Sequence, residues 1–149
     1  MRRSRKKSLN TFEKTLFLKS VPLFKYVKDE ALLAIASAFE EQRAAPKEEI
    51  IQKDELGTDM YLIVSGKVKV HDGDHQIAEL KIGDVFGELA ALAPEKRIAS
   101  VQALEDTLLL KIGSRTLYDL IDIQPGLAKG IIQALCQRVR TIALSNLNS

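Results

Sequence analysis

The chain has 149 residues, 46% hydrophobic and 28% charged, enough for one compact domain with a full core and too few for two ordinary ones. A single cysteine, Cys136, excludes an internal disulfide and points to a reducing, cytoplasmic setting, and no apolar run approaches the ~20 residues needed to cross a bilayer. Five of the 22 basic residues (Arg2, Arg3, Arg5, Lys6, Lys7) precede the first acidic one, which leaves 17 against 20 in the body, a balance of −3. The net charge of +2 therefore belongs to a tail and not to a surface that would track a phosphate backbone.

In chain order, residues 1–9 read as a basic, solvated, disordered tail in preference to a nucleic-acid or membrane contact. A signal peptide is excluded because Glu13, Lys14 and Lys19 interrupt what would be its apolar segment. Asn10 to Glu13 has the spacing of a capping box ahead of Phe12, Leu16 and Phe17 at helical intervals. Pro22 breaks that helix. "KDEALLAIASAFEEQ" then predicts a second one, acidic in its first turn, with Leu32, Leu33, Ala36 and Phe39 on one face, so that helices occupy residues 11–45.

From residue 46 to 112 the pattern changes to short strands separated by turn signals. "EIIQK", "MYLIVSG", "KVKVHDGDHQIAEL", "IASVQAL" and "TLLLKI" are the candidate strands, and Asp72-Gly73 predicts a tight hairpin. Such spacing suggests a sandwich or rolled barrel, whose closure removes exposed edges. Helical periodicity returns over residues 113–146. Ser114 is a candidate N-cap for "RTLYDLID", and Pro125 suits the first turn of a longer helix. On that helix Leu127, Ile131, Leu135 and Ile142 form one apolar stripe, and Ile132, Cys136, Val139 and Ala143 a second. Cys136 is expected to be a small core residue, and the broad apolar arc leaves surface for a partner, a homodimer among the candidates.

"FGELAALAPEKRIASV" (Phe86 to Val101) is too long for a purposeless connection between strands. Gly87 permits close approach to the backbone, and Glu88 to Leu92 are helix formers, so a short helix should begin there with its amide donors free for an anion. Arg97 offers the planar donors that match a phosphate, and Glu88 can accept from a sugar hydroxyl. Their combination describes a sugar phosphate. His71 and His75 are the only histidines, too few for a cupin-type metal centre, and Ser100 and Ser114 have no neighbouring base. No metal site and no catalytic residues are expected.

"YLIVSGKVKV", "IGDVFGELAAL" and "RIASV", in this order and spacing, resemble the cyclic nucleotide-binding domain family, which includes regulatory subunits of the cAMP-dependent kinase and catabolite-activator-like proteins. The resemblance spans about residues 11–145. It implies an α+β, mainly β fold: an antiparallel β roll of double-stranded jelly-roll type, with N-terminal helices, a short phosphate-cassette helix and C-terminal helices, in a single domain over residues 10–149.

It further implies a non-enzymatic sensor. Phe86, Gly87, Glu88, Leu89, Ala90, Arg97, Ile98 and Ala99 would line the nucleotide, with Glu88 on the ribose 2′-hydroxyl, Arg97 on the cyclic phosphate and nearby amides completing the cradle. A base cap would come from the last helix, with Arg138 and Thr141 as candidates. Ile98 has no hydroxyl, which by the same resemblance favours cAMP over cGMP. The family usually has proline directly before the arginine, whereas this chain has Lys96 there and its proline at Pro94. The expected partners are the nucleotide and an effector protein or fused domain, with no DNA-binding helices in this chain. The alternative is a ligand-free interaction domain that keeps the fold and dimerises through its last helix.

Overall fold

The computed structural model describes residues 8–147, so most of the predicted basic tail lies outside the described residues. Helix α1 (Thr11–Lys19) starts with the expected capping box, in which the Asn10 side chain accepts from the Glu13 amide and the Glu13 carboxylate accepts from the Asn10 amide. A single 3-10 turn, Pro22–Phe24, leads to α2 (Asp29–Ala38).

The ten strands are β1 (Glu40–Ala44), β2 (Glu49–Ile51), β3 (Leu56–Gly57), β4 (Asp59–Ser65), β5 (Lys67–Asp72), β6 (His75–Lys81), β7 (Val85–Phe86), β8 (Glu95–Lys96), β9 (Ser100–Ala103) and β10 (Thr107–Gly113). Between β7 and β8 lies α3 (Glu88–Leu92), and α4 (Ser114–Ile123) and α5 (Pro125–Leu147) follow β10. One four-stranded sheet has the order β1-β10-β4-β7 and the other β2-β9-β5-β6, with β3 and β8 forming a separate two-stranded ribbon; every pairing is antiparallel. This is the expected roll.

The apolar runs in β4 and β10 follow from burial of both their faces. Met60, Leu62, Leu110 and Ile112 point to the helices, whereas Tyr61, Ile63 and Leu109 point into the roll, where they meet Ile51, Val68, Phe86 and Val101. The helical side of the core joins Leu18, Phe24, Leu32, Ile35 and Phe39 to Leu117, Leu127 and Ile131. One side of the roll therefore rests on helices contributed from before β1 and after β10.

Several expectations are corrected. The predicted helix to residue 45 ends at Ala38, and Glu40 to Ala44 form β1 instead, pairing along β10 from Lys111 to Thr107. "EEQRA" carries no apolar alternation, so the ladder and not the pattern decides its state. Leu33, placed on the buried face of α2, is 51% exposed. Leu9, assigned to the tail, is half-buried, and its amide donates to Glu41 Oε1. The hairpin loop is Gly73-Asp74, one residue later than predicted, because Asp72 still pairs with His75; Gly73 carries the positive φ of 58° that the turn needs. Gly113, not Ser114, is the N-cap of α4. Cys136 is exposed, and so is Ile142 of the expected packing stripe, because only Leu127, Gly130, Ile131 and Ala134 of α5 are buried.

Candidate functional site

The site is built on the segment between β7 and β9. Phe86 is buried in β7 and stacks on Tyr61 of β4, ring centroids 5.0 Å apart, which fixes where the chain leaves the roll. Gly87 then caps α3 with φ 77° and ψ 8°, a left-handed conformation that only glycine adopts without strain. A Cβ at this position would lie 2.7 Å from the Asp59 carbonyl oxygen and 2.8 Å from Arg97 Nη1. Ala90 and Ala91 are buried and small, which lets the five-residue helix sit close against β4.

Arg97 is held by both its backbone and its side chain. Its amide donates to the Glu55 carbonyl, its carbonyl accepts from the Asp54 amide, both at 2.8 Å, and its Nη2 donates to the Asp59 carbonyl at 2.7 Å. The β3–β8 ribbon, with Leu56 opposite Lys96 and Gly57 opposite Glu95, presses this loop against the roll. Lys96 stands where the resembled family usually has proline, and here strand pairing shapes the approach to Arg97. The guanidinium crosses directly over Gly57, where any Cβ would overlap Nε, Cζ and Cδ. The remaining guanidinium N–H groups have no acceptor among the described residues.

Glu88 and Arg97 line one cleft of about 170 Å³ with Gly87, Leu89, Ala90, Glu95, Lys96 and Ile98. A second hollow of about 150 Å³ shares Gly87, Arg97 and Ile98 with this cleft and is lined further by Ile51, Val70, Phe86, Ala99 and Val101. All eight residues expected at the site thus lie around these two spaces. Glu88 does not pair with Arg97: its Oε1 accepts from Arg138 Nη1 of α5 at 2.7 Å. Thr141, the other cap candidate, donates its hydroxyl to the Gln137 carbonyl of its own helix. Neither Arg138 nor Thr141 lines the cleft. Ile98 is 86% exposed and Leu89 55%, so the cleft has an apolar rim with nothing packed on it.

Sequence reasoning missed the frame of the site. Gly57 is legible only as a strand boundary, and Asp54, Glu55 and Asp59 act through backbone groups that no side-chain pattern reveals. Tyr61, beside Arg97 and Asp59, has its phenol pushed above the ordinary range, first by burial and then by the Asp59 charge, with Arg97 acting in the opposite direction. Among the described residues no cluster of His, Cys, Asp or Glu could hold a metal ion, and no helix is long and apolar enough to cross a membrane.

The model of the cyclic nucleotide-binding domain family matches residues 41–124. A cAMP-dependent protein kinase regulatory subunit of Hypocrea atroviridis is 34% identical over 128 residues, 86% of this chain and 26% of that protein. A cGMP-dependent protein kinase of Toxoplasma gondii is 32% identical over 139 residues, 92% of this chain and 14% of that protein. The chain spans about a quarter or less of the length of these relatives. Thermus thermophilus Catabolite Activator Protein superposes with a TM-score of 0.69 at 32% identity, over 83% of this chain and 61% of that one. The N-terminal domain of a transcriptional regulator from Streptomyces coelicolor A3(2) superposes at 0.77 over 85% and 94%, with 24% identity, a likeness of fold alone. A roll with a glycine-capped helix, an arginine folded over the same cleft and a matching family model over its strands place this chain in the cyclic nucleotide-binding domain family.

Proposed function

We propose that the chain is a non-enzymatic cytoplasmic sensor that binds a cyclic nucleotide, cAMP in preference to cGMP, and passes the event to an effector through α5. The observation that carries this reading is the cleft shared by Glu88 and Arg97 at the head of α3. Arg97 binds the cyclic phosphate through its free donors, Glu88 accepts from the ribose 2′-hydroxyl, and the amides of Leu89, Ala90, Ile98 and Ala99 complete the cradle. Ile98 and Leu89 supply an apolar rim for the base, and Ile98 has no hydroxyl with which to favour guanine. Arg138 reaches the site through Glu88, so a shift at the cleft is felt on α5. To invert a 1:99 helix population the nucleotide must prefer one arrangement by about 5.5 kcal/mol.

Calorimetric titration with cAMP and cGMP tests the reading. Arg97→Ala should weaken cAMP binding by about 2–5 kcal/mol, roughly 30-fold to several thousand-fold, because a largely desolvated phosphate loses its partner. A wild-type protein that binds neither nucleotide at millimolar concentration sinks it.

A second reading, an interaction domain that dimerises through α5, is favoured by one observation. Ile132, Val139 and Ile142 are 56–65% exposed, and Ile132 and Val139 line a groove of about 350 Å³ with Leu135 and Cys136. Sedimentation of the wild type and of Val139→Glu distinguishes the two: a dimer that dissociates in the variant, with no nucleotide binding in either protein, supports the second reading.

A further inference from the structure

Helix α3 is fastened at both ends to the C-terminal helices. Arg138 of α5 holds its first residue, Glu88, and at the other end the Tyr118 hydroxyl of α4 donates to the Leu92 carbonyl. The second contact is not needed for burial. Tyr118 is 46% exposed, and Leu117 beside it, fully buried, already anchors α4 in the core. A last-turn carbonyl has no partner within its own helix, and in so short a helix each such group is a large share of what keeps it folded. At the two ends of α3 the Ala91 amide donates to the Gly87 carbonyl and the Ala93 amide to the Leu89 carbonyl. The buried Ala91 seats the helix on the core, and the phenol from α4 fastens its C-terminal end.

We propose that Tyr118 is a positioning residue for the binding site: through the Leu92 carbonyl it holds the cassette helix to α4, so that α3 and the C-terminal helices move as one body. It touches no ligand and acts through the backbone of α3. The hydroxyl alone carries the role, because the ring can be kept in Phe. Only the consequence for signalling rests on the sensor reading; the tether itself does not.

The test compares the wild type with Tyr118→Phe in two measurements. Without nucleotide, the Ala91 and Ala93 amides should exchange with solvent about fivefold or more faster in the variant, while amides of β4 and β10 exchange at unchanged rates. Equal exchange at Ala91 and Ala93 overturns the proposal. A rise spread equally over the whole chain also overturns it, since that is a general loss of stability. In the second measurement an environment-sensitive fluorophore on Cys136, the single and exposed cysteine on α5, reports the helix during cAMP titration. The amplitude at saturation should fall at least twofold in Tyr118→Phe whatever the change in Kd. An undiminished amplitude overturns the coupling, whereas absence of cAMP binding by the wild type overturns the sensor reading and leaves the exchange result to decide the tether.

Discussion

Arg138 of α5 and Glu88 at the head of α3, fifty positions apart in sequence, are joined by a 2.7 Å hydrogen bond between guanidinium and carboxylate. The contact uses one carboxylate oxygen and leaves the other free, so it orients Glu88 without consuming it. Arg138 keeps 41% of its side chain in solvent, and an ion pair of this kind contributes about 1 kcal/mol or less to stability. Arg138→Ala is therefore expected to leave the thermal midpoint nearly unchanged but to weaken cAMP binding about fivefold, through loss of orientation at Glu88. Calorimetry on both proteins, alongside thermal melts, separates these effects, and an unaltered Kd would show that Glu88 needs no help.

Gly57 and Gly87 both lie under the Arg97 side chain, yet for different reasons. Gly87 needs its left-handed backbone and Gly57 does not, so alanine is tolerated by the backbone at 57 and opposed at 87. Gly57→Ala should leave stability within about 1 kcal/mol while displacing the guanidinium and weakening cAMP binding at least tenfold. Gly87→Ala should lower both, with about 1–3 kcal/mol lost from folding. Urea melts and calorimetry check the pair, and equal stability losses at the two positions would refute the distinction.

The roll, its two apolar strands and the cassette were legible because each has a pattern that only one environment satisfies. "MYLIVS" and "TLLLKI" are apolar on both faces because each strand lies between helices and roll, and "FGELAAL" combines a left-handed glycine with a helix start. β1 was not legible, since "EEQRA" is polar throughout and is a strand only because β10 has an open edge to pair. The frame around Arg97 was hidden for another reason. It consists of carbonyls and amides of residues 54, 55 and 59, and backbone groups leave no mark on composition. The Glu88–Arg138 pair likewise depends on where α5 crosses α3, which neither segment encodes alone.

Asp54 adopts φ 72° while its amide holds the Arg97 carbonyl, so the loop stores strain beside the site. Asp accepts this conformation better than most residues, glycine better still, and alanine worse. Asp54→Ala should cost about 1 kcal/mol, whereas Asp54→Gly should stay within about 0.5 kcal/mol of the wild type, the relief of strain being offset by the added freedom of the unfolded chain. Denaturant midpoints at neutral pH measure both, and a costless alanine would mean that the loop carries no strain at this position.

Tyr61 makes the stability of the roll sensitive to alkali. Its phenol is held neutral to higher pH in the folded chain than in the unfolded one, with burial against Phe86 as the chief cause and Asp59 adding to it. As pH rises past about 10, where an exposed tyrosine ionises, the unfolded state loses its proton first and binds fewer protons than the native state. Stability therefore falls with rising pH from there up to the raised pKa of the folded protein, and below pH 10 this residue adds no slope. Tyr61→Phe should remove that part of the alkaline loss and leave the remainder, which belongs to the other titrating groups, in place. Urea midpoints from pH 8 to 11 for the two proteins give the comparison. Parallel curves would mean that the phenol ionises as easily in the roll as in water.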